Sequence, residues 1–196
     1  MSGIPTITPL TLAVLLAAAP VPVEAGKGDE PFPGYDSLCG YPLVMSSTAS
    51  VAQARLGRDG QPVIVLDPQL SGPDESHRRV FLIAHECAHH RMGHVAEAER
   101  RKRTRSRRVV RDHELSADCW AAETLAQARM DRTLRVIEDR FFRGGLYSPG
   151  GGYPAGIQRA SIIRACAESG RNRSKAASLT PGADAAAAPE WPGKPR

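Results

Sequence analysis

Apolar residues recur along this chain in two rhythms. Pro62-Val63-Ile64-Val65-Leu66-Asp67-Pro68 is a short apolar, β-branched run bracketed by prolines. It predicts a strand, and prolines at both ends suit the edge of a sheet. From Ser76 to Met92 the spacing becomes helical. Ser71-Gly72-Pro73-Asp74 turns the chain into this segment and Gly93 stops it. Val80, Ala84, Cys87 and Ala88 fall on faces that can pack against a core. A second helix is predicted over Asp112 to Arg129, with Leu115, Cys119, Ala122 and Ala126 along one stripe. Leu134, Ile137 and Phe141 recur at helical spacing in a third, ended by Gly144-Gly145. A glycine-rich loop, Leu146 to Gly156, leads to a last helix that can start near Pro154 and runs from Ile157 to Cys166. The expected fold is α+β and mostly helical, with a short edge strand or small sheet beside the first long helix.

Composition sets the limits of that domain. A length of 196 residues suits one domain with extensions, and 41% hydrophobic residues are enough for a core. Leu10 to Ala19 is apolar but too short to span a bilayer; Pro20 and Pro22 end it, and Val23-Glu24-Ala25 offers small residues for cleavage. Residues 1–25 therefore read as an export signal, or a short retained anchor, although no Lys or Arg precedes the run. Residues 26–168 form the domain. From Ser169 onward Ala, Pro, Gly, Ser and charge dominate, so 169–196 reads as a disordered tail. Export places the protein in the periplasm or outside the cell, where cysteines oxidise. Four cysteines allow three pairings. The expected pairs are Cys87 with Cys119 and Cys39 with Cys166; four buried free thiols are the other reading.

The chemistry is concentrated in His85-Glu86-Cys87-Ala88-His89. Residues four apart on a helix share a face, so His85 and His89 can point at one metal ion, with Glu86 beside a water bound to it. A hydrolytic zinc site takes three protein ligands and keeps one position open. One extended pattern asks for glycine three residues and histidine six residues after His89; Met92 and Val95 stand there instead. His90 and His94 lie off the His85/His89 face and read as surface or capping histidines. A glutamate from a second helix is the other common solution. Glu114-Leu115-Ser116-Ala117-Asp118 supplies it, with Glu114 as ligand and Asp118 accepting the outer N–H of a ligating histidine.

At this point the chain resembles the gluzincin metallopeptidases. The strings Leu82-Ile83-Ala84-His85-Glu86-Cys87-Ala88-His89-His90 and Glu114-Leu115-Ser116-Ala117-Asp118-Cys119-Trp120-Ala121-Ala122 are similar to the branch with the CAAX prenyl proteases, the heat-shock membrane protease HtpX and small periplasmic relatives. The likeness covers Val63 to Ala167. It implies a minimal gluzincin-like domain in which His85, His89 and Glu114 bind zinc, Glu86 activates water and Asp118 supports the ligands. Relatives often carry His-Pro before the last helix; here Tyr153-Pro154 stands in its place. A tyrosine hydroxyl can still donate to an oxyanion, and Arg159 is a second candidate donor.

The resulting expectation is an exported zinc metalloendopeptidase, with a peptide or protein as partner. Val63 to Leu66 are expected to align the substrate by strand addition. The alternative is a binding or assembly factor with a structural zinc site. The basic run Arg100 to Arg108 supplies much of the net charge of +5 and reads as a solvated connector, or as a contact to anionic membrane surfaces. It has no interleaved aromatics, so nucleic acid is not an expected partner.

Overall fold

Described in a computed structural model are residues 36–47, 51–71, 75–101 and 106–179. The expected export signal (1–25) lies outside them, as do residues 102–105 of the basic run and 180–196 of the tail. A single helical turn, α1 (Asp36–Cys39), leads to strands β1 (Leu43–Met45), β2 (Ala52–Leu56) and β3 (Pro62–Leu66). A 3-10 turn at Pro68–Ser71 then gives way to helices α2 (Ser76–Arg91), α3 (His94–Arg100), α4 (Arg107–Gln127), α5 (Asp131–Gly144) and α6 (Gly156–Leu179). This is the mostly helical α+β fold expected, with a small mixed sheet. No described helix is long and apolar enough to cross a membrane.

The sheet order is β1-β3-β2, so the expected edge strand is in fact the centre. β1 runs parallel to β3, with Leu43 opposite Ile64, and β2 runs antiparallel, with Ala54 opposite Ile64. The prolines bracket the ladder rather than interrupt it. Pro62 is the first residue of β3, Pro68 lies beyond its end, and Ile64 donates its N–H to the Pro42 carbonyl at 3.0 Å. Ile64, Val65 and Leu66 are buried, which is why the run is apolar throughout rather than alternating. With both sides of β3 paired, Val63 to Leu66 cannot add a substrate strand. The edge of the sheet nearest the metal motif is β2.

Helix α2 is buried on two sides. Ile83 and Cys87 pack with Ile64, Leu66 and Leu70 under the sheet. Val80, Phe81 and Ala84 join Ala121, Leu125, Ile137 and Ile163 from α4, α5 and α6. Gly93, at φ 74°, ends α2 in the left-handed region and lets α3 start at once in a new direction. Helix α4 begins at Arg107, before the expected Asp112, because the Ser106 side chain accepts from the Val109 N–H and caps it.

Both expected disulfide pairs are replaced by Cys39–Cys87 and Cys119–Cys166, and no described cysteine is a free thiol. The expected Cys87–Cys119 pair would need α2 and α4 to meet on their cysteine-bearing sides. Instead the sheet with α1 lies against Cys87 of α2, and α6 lies against Cys119 of α4. Each cysteine therefore meets the element that covers its own helix. Helix α6 also continues past Ser169 to Leu179, held to its neighbours by Arg171–Asp131 at 2.9 Å and Arg173–Glu123 at 2.6 Å.

Candidate metal centre

The H-E-x-x-H turn lies in the middle of α2, where the sheet core and the helical core hold it from both sides. That placement buries His85, fully paired, and leaves His89 nearer a cleft. Glu114 comes across from α4. His85 Nε2 lies 3.1 Å from His89 Nε2 and 3.2 Å from Glu114 Oε2, and His89 Nε2 lies 3.6 Å from Glu114 Oε1. All three ligand atoms fall within 4.8 Å of one another. Tetrahedral zinc, with bonds of roughly 2.0–2.1 Å, holds its ligand atoms about 3.4 Å apart, and these spacings straddle that value. Two imidazole nitrogens and one carboxylate oxygen are also the donor set that such an ion prefers. This buried group could hold a metal ion. Among the described residues a second cluster, Cys119, Glu123 and Cys166, is disqualified because its sulfurs are bonded to each other.

Behind each histidine stands a different partner. The Nδ1–H of His85 donates to Asp118 Oδ1 at 2.9 Å, as the sequence led us to expect. Asp118 is wholly buried and is clamped by Arg159, whose Nε and Nη2 donate to its two oxygens at 2.7 and 2.6 Å. The guanidinium also covers the Phe141 ring at 4.1 Å. Arg159, considered as an oxyanion donor, thus commits two donors to Asp118 and acts as its counterion. His94 is not a surface or capping residue. It is 8% exposed, and its Nδ1 lies 3.1 Å from His89 Nδ1. His94 stacks on His113 with ring centroids 3.9 Å apart, and His113 Nε2 meets Glu97 at 3.2 Å. His90 is buried too, but it faces the sheet, hydrogen-bonded at 2.9 Å to the Val63 carbonyl and tilted against Tyr41. The sequence reading missed the roles of His94 and His113. Counting helical angle from His89 fails across the left-handed break at Gly93.

The electrostatics follow from these contacts. Burial works against a charge on His85, but the hydrogen bonds to Asp118 and Glu114 outweigh it and raise its pKa to about 10. Burial, reinforced by the His85 charge, lowers His89 to about 2. Burial and the neighbouring His113 lower His94 to about 4. These shifts favour the proton on His85, and the inward placement of His89 Nε2 assigns the Nδ1–H of His89 as donor to His94 Nδ1. Burial also raises the Glu86 carboxyl, against the pull of His85 and of a hydrogen bond from the Ala54 N–H on β2. That bond, at 2.7 Å, ties the motif to the sheet edge.

The three donor residues line a cavity of about 600 Å³. Its walls include Gln53, Ala54 and Arg55 of β2, Phe81 and Phe141. Tyr153 and Arg159 line it as well, so every site residue expected from sequence except Asp118 borders this one space. Tyr153 is 44% exposed on the rim. No known protein family, curated protein or solved structure matches the chain; the case for a metal here is the donor set itself.

Proposed function

We propose that the protein is an exported zinc-dependent peptidase of gluzincin type, with His85, His89 and Glu114 as ligands and Glu86 as general base. The observation that carries this reading is the position of Glu86. It is a buried carboxylate beside a three-residue donor group that opens on a cavity. A structural zinc site closes itself with four protein ligands and has no use for a base, which disfavours the non-catalytic alternative.

Bound there, zinc would supply a Lewis acid that polarises a carbonyl and brings the pKa of water toward about 7. Glu86 takes a proton from the attacking water as its oxygen bonds to the peptide carbon. Glu86 then returns a proton to the amine as the C–N bond breaks. The raised pKa of its carboxyl suits both transfers. Strand β2 is the outer strand beside Glu86, with its Ala54 N–H already given to that carboxylate, and an extended peptide laid along the rest of this edge would cross the donor group. Asp118, held by Arg159, keeps the His85 Nε2 directed inward. Tyr153, on the rim, is the candidate oxyanion donor.

The disulfides and the apolar stretch Leu10–Ala19 support a periplasmic or secreted location. The test is a peptide-library digest with wild-type protein and Glu86→Gln, alongside zinc analysis of both. The variant is expected to keep about one zinc per chain and lose at least roughly a hundredfold in turnover. Equal turnover by the two proteins would refute the assignment of Glu86. Wild-type protein that holds zinc without cleaving anything would favour the structural alternative.

A further inference from the structure

The rim of the cleft continues into a surface that the metal centre does not use. Leu146 and Tyr147, between α5 and α6, are 85% and 74% exposed, and Phe142 on the last turn of α5 is 58% exposed. Single exposed apolar residues are ordinary on a protein surface. Here three of them fall within six consecutive positions, where α5 gives way to the loop before α6.

The same loop lies against the start of α4. Gly152 approaches Arg107 so closely that a Cβ on it would sit 2.4 Å from the Arg107 carbonyl oxygen. Beside that contact opens a hollow of about 440 Å³, lined by Arg107, Arg108, Arg111 and loop residues from Ser148 to Tyr153. Arg107 and Arg111 have no carboxylate partner among the described residues, and Arg108 reaches Asp112 only at 3.8 Å. Cations at the start of a helix oppose its dipole, so this arrangement leaves positive potential at Arg107 and Arg111.

We propose that this surface docks on an anionic lipid bilayer, with Leu146 and Tyr147 entering the boundary of the acyl layer and Arg107 and Arg111 on headgroup phosphates. Protruding apolar tips flanked by basic residues are the composition of an interfacial membrane contact. Tyrosine suits the headgroup level, where one end of the ring is apolar and the other wet. Pro149 and Tyr153 of the same loop line the metal cavity, so docking would bring the mouth of the cleft beside the bilayer. The contact stands apart from the peptidase reading and can fail or hold without it.

The test uses the full chain carrying Tyr147→Trp, mixed with phosphatidylglycerol vesicles that contain brominated phosphatidylcholine. The tryptophan at 147 is expected to shift to the blue and be quenched by bromine, beyond any change in wild-type Trp120 and Trp191. Adding Arg107→Ala and Arg111→Ala should weaken vesicle binding on the order of tenfold or more, and raised salt should act in the same direction. The apolar residues 10–19 can carry the chain to a vesicle but do not place position 147 in it. A folded Tyr147→Trp protein with no lipid-dependent quenching overturns the proposal. So does equal quenching on neutral vesicles that ignores the arginine changes. A response to an acidic peptide but not to vesicles overturns it in favour of a protein partner.

Discussion

His85 and His89 stand one helical turn apart on one face of α2, yet they are held by opposite chemistry. Behind His85 is a formal charge, Asp118, neutralised by Arg159 and sealed from solvent. Behind His89 is a neutral imidazole, His94, kept in place by stacking on His113. A carboxylate behind an imidazole fixes its orientation and raises its basicity; a second imidazole fixes orientation with little charge. The pair thereby shares one proton unequally, with His85 raised to about 10 and His89 lowered to about 2. A metal ion bound there would have to displace that proton, and the strength of this competition would be set on the His85 side.

The largest effect is therefore expected from Asp118→Ala. It leaves the Arg159 guanidinium buried without its partner and takes the acceptor from His85 Nδ1. Breaking a buried ion pair on one side costs about 3–5 kcal/mol. Loss of such a supporting carboxylate typically costs a site roughly 10–100-fold in metal affinity. Denaturant unfolding and competition with a zinc indicator should report both losses together. A stable variant with unchanged affinity would mean that the charged side is no stronger a support than the neutral one.

The same comparison predicts a pH dependence with a definite sign. In the metal-free protein His85 binds its proton more tightly folded than unfolded, since its pKa rises from 6.5 to about 10. Its contribution to stability is complete below 6.5 and is lost as pH rises through about 10. Metal binding runs the other way, because the ligand form of His85 is neutral. Zinc affinity should rise about tenfold per pH unit between pH 7 and 9, with about one proton released per ion. Calorimetry in buffers of different ionisation enthalpy measures that proton. Affinity that stays flat over the interval would show that His85 is already neutral, and the asymmetry with it would disappear.

Much of this site was legible because its rules are local. His85 with His89, and Glu114 with Asp118, are four apart, and the helices that carry them are marked by periodic apolar positions and by Gly93. The disulfides were half legible. Helical spacing placed Cys87 and Cys119 on faces that pack inward, but did not show that different elements cover the two helices. Strand β2 gave no signal at all. Ala52-Gln53-Ala54-Arg55-Leu56 consists of good helix formers, and only pairing with β3 makes it a strand. That strand matters to the site, because its Ala54 N–H holds Glu86. The extension of α6 beyond Ser169 was hidden in the same way. Its composition is poor in large apolar residues, and ion pairs to α4 and α5 substitute for them.

A matched pair of substitutions separates charge from hydrogen bonding. Asp118→Asn keeps an oxygen where His85 Nδ1–H donates, but removes the negative charge that answers Arg159. His94→Asn keeps an acceptor too, since Asn Oδ1 occupies the place of His Nδ1, and there was no charge to lose. His94→Asn is therefore expected to cost a few-fold in zinc affinity, no more than the loss of about 1 kcal/mol for one imperfect hydrogen bond. Asp118→Asn should cost at least several times more, within the range of roughly 10–100-fold. His94→Ala, which removes the acceptor altogether, should fall between them. Zinc competition assays on the three proteins at one pH decide the order. If His94→Asn proved as damaging as Asp118→Asn, the neutral side would be carrying more than orientation. The stacked His113 and its Glu97 partner would then have to be counted as a second charged support reaching His89 through His94.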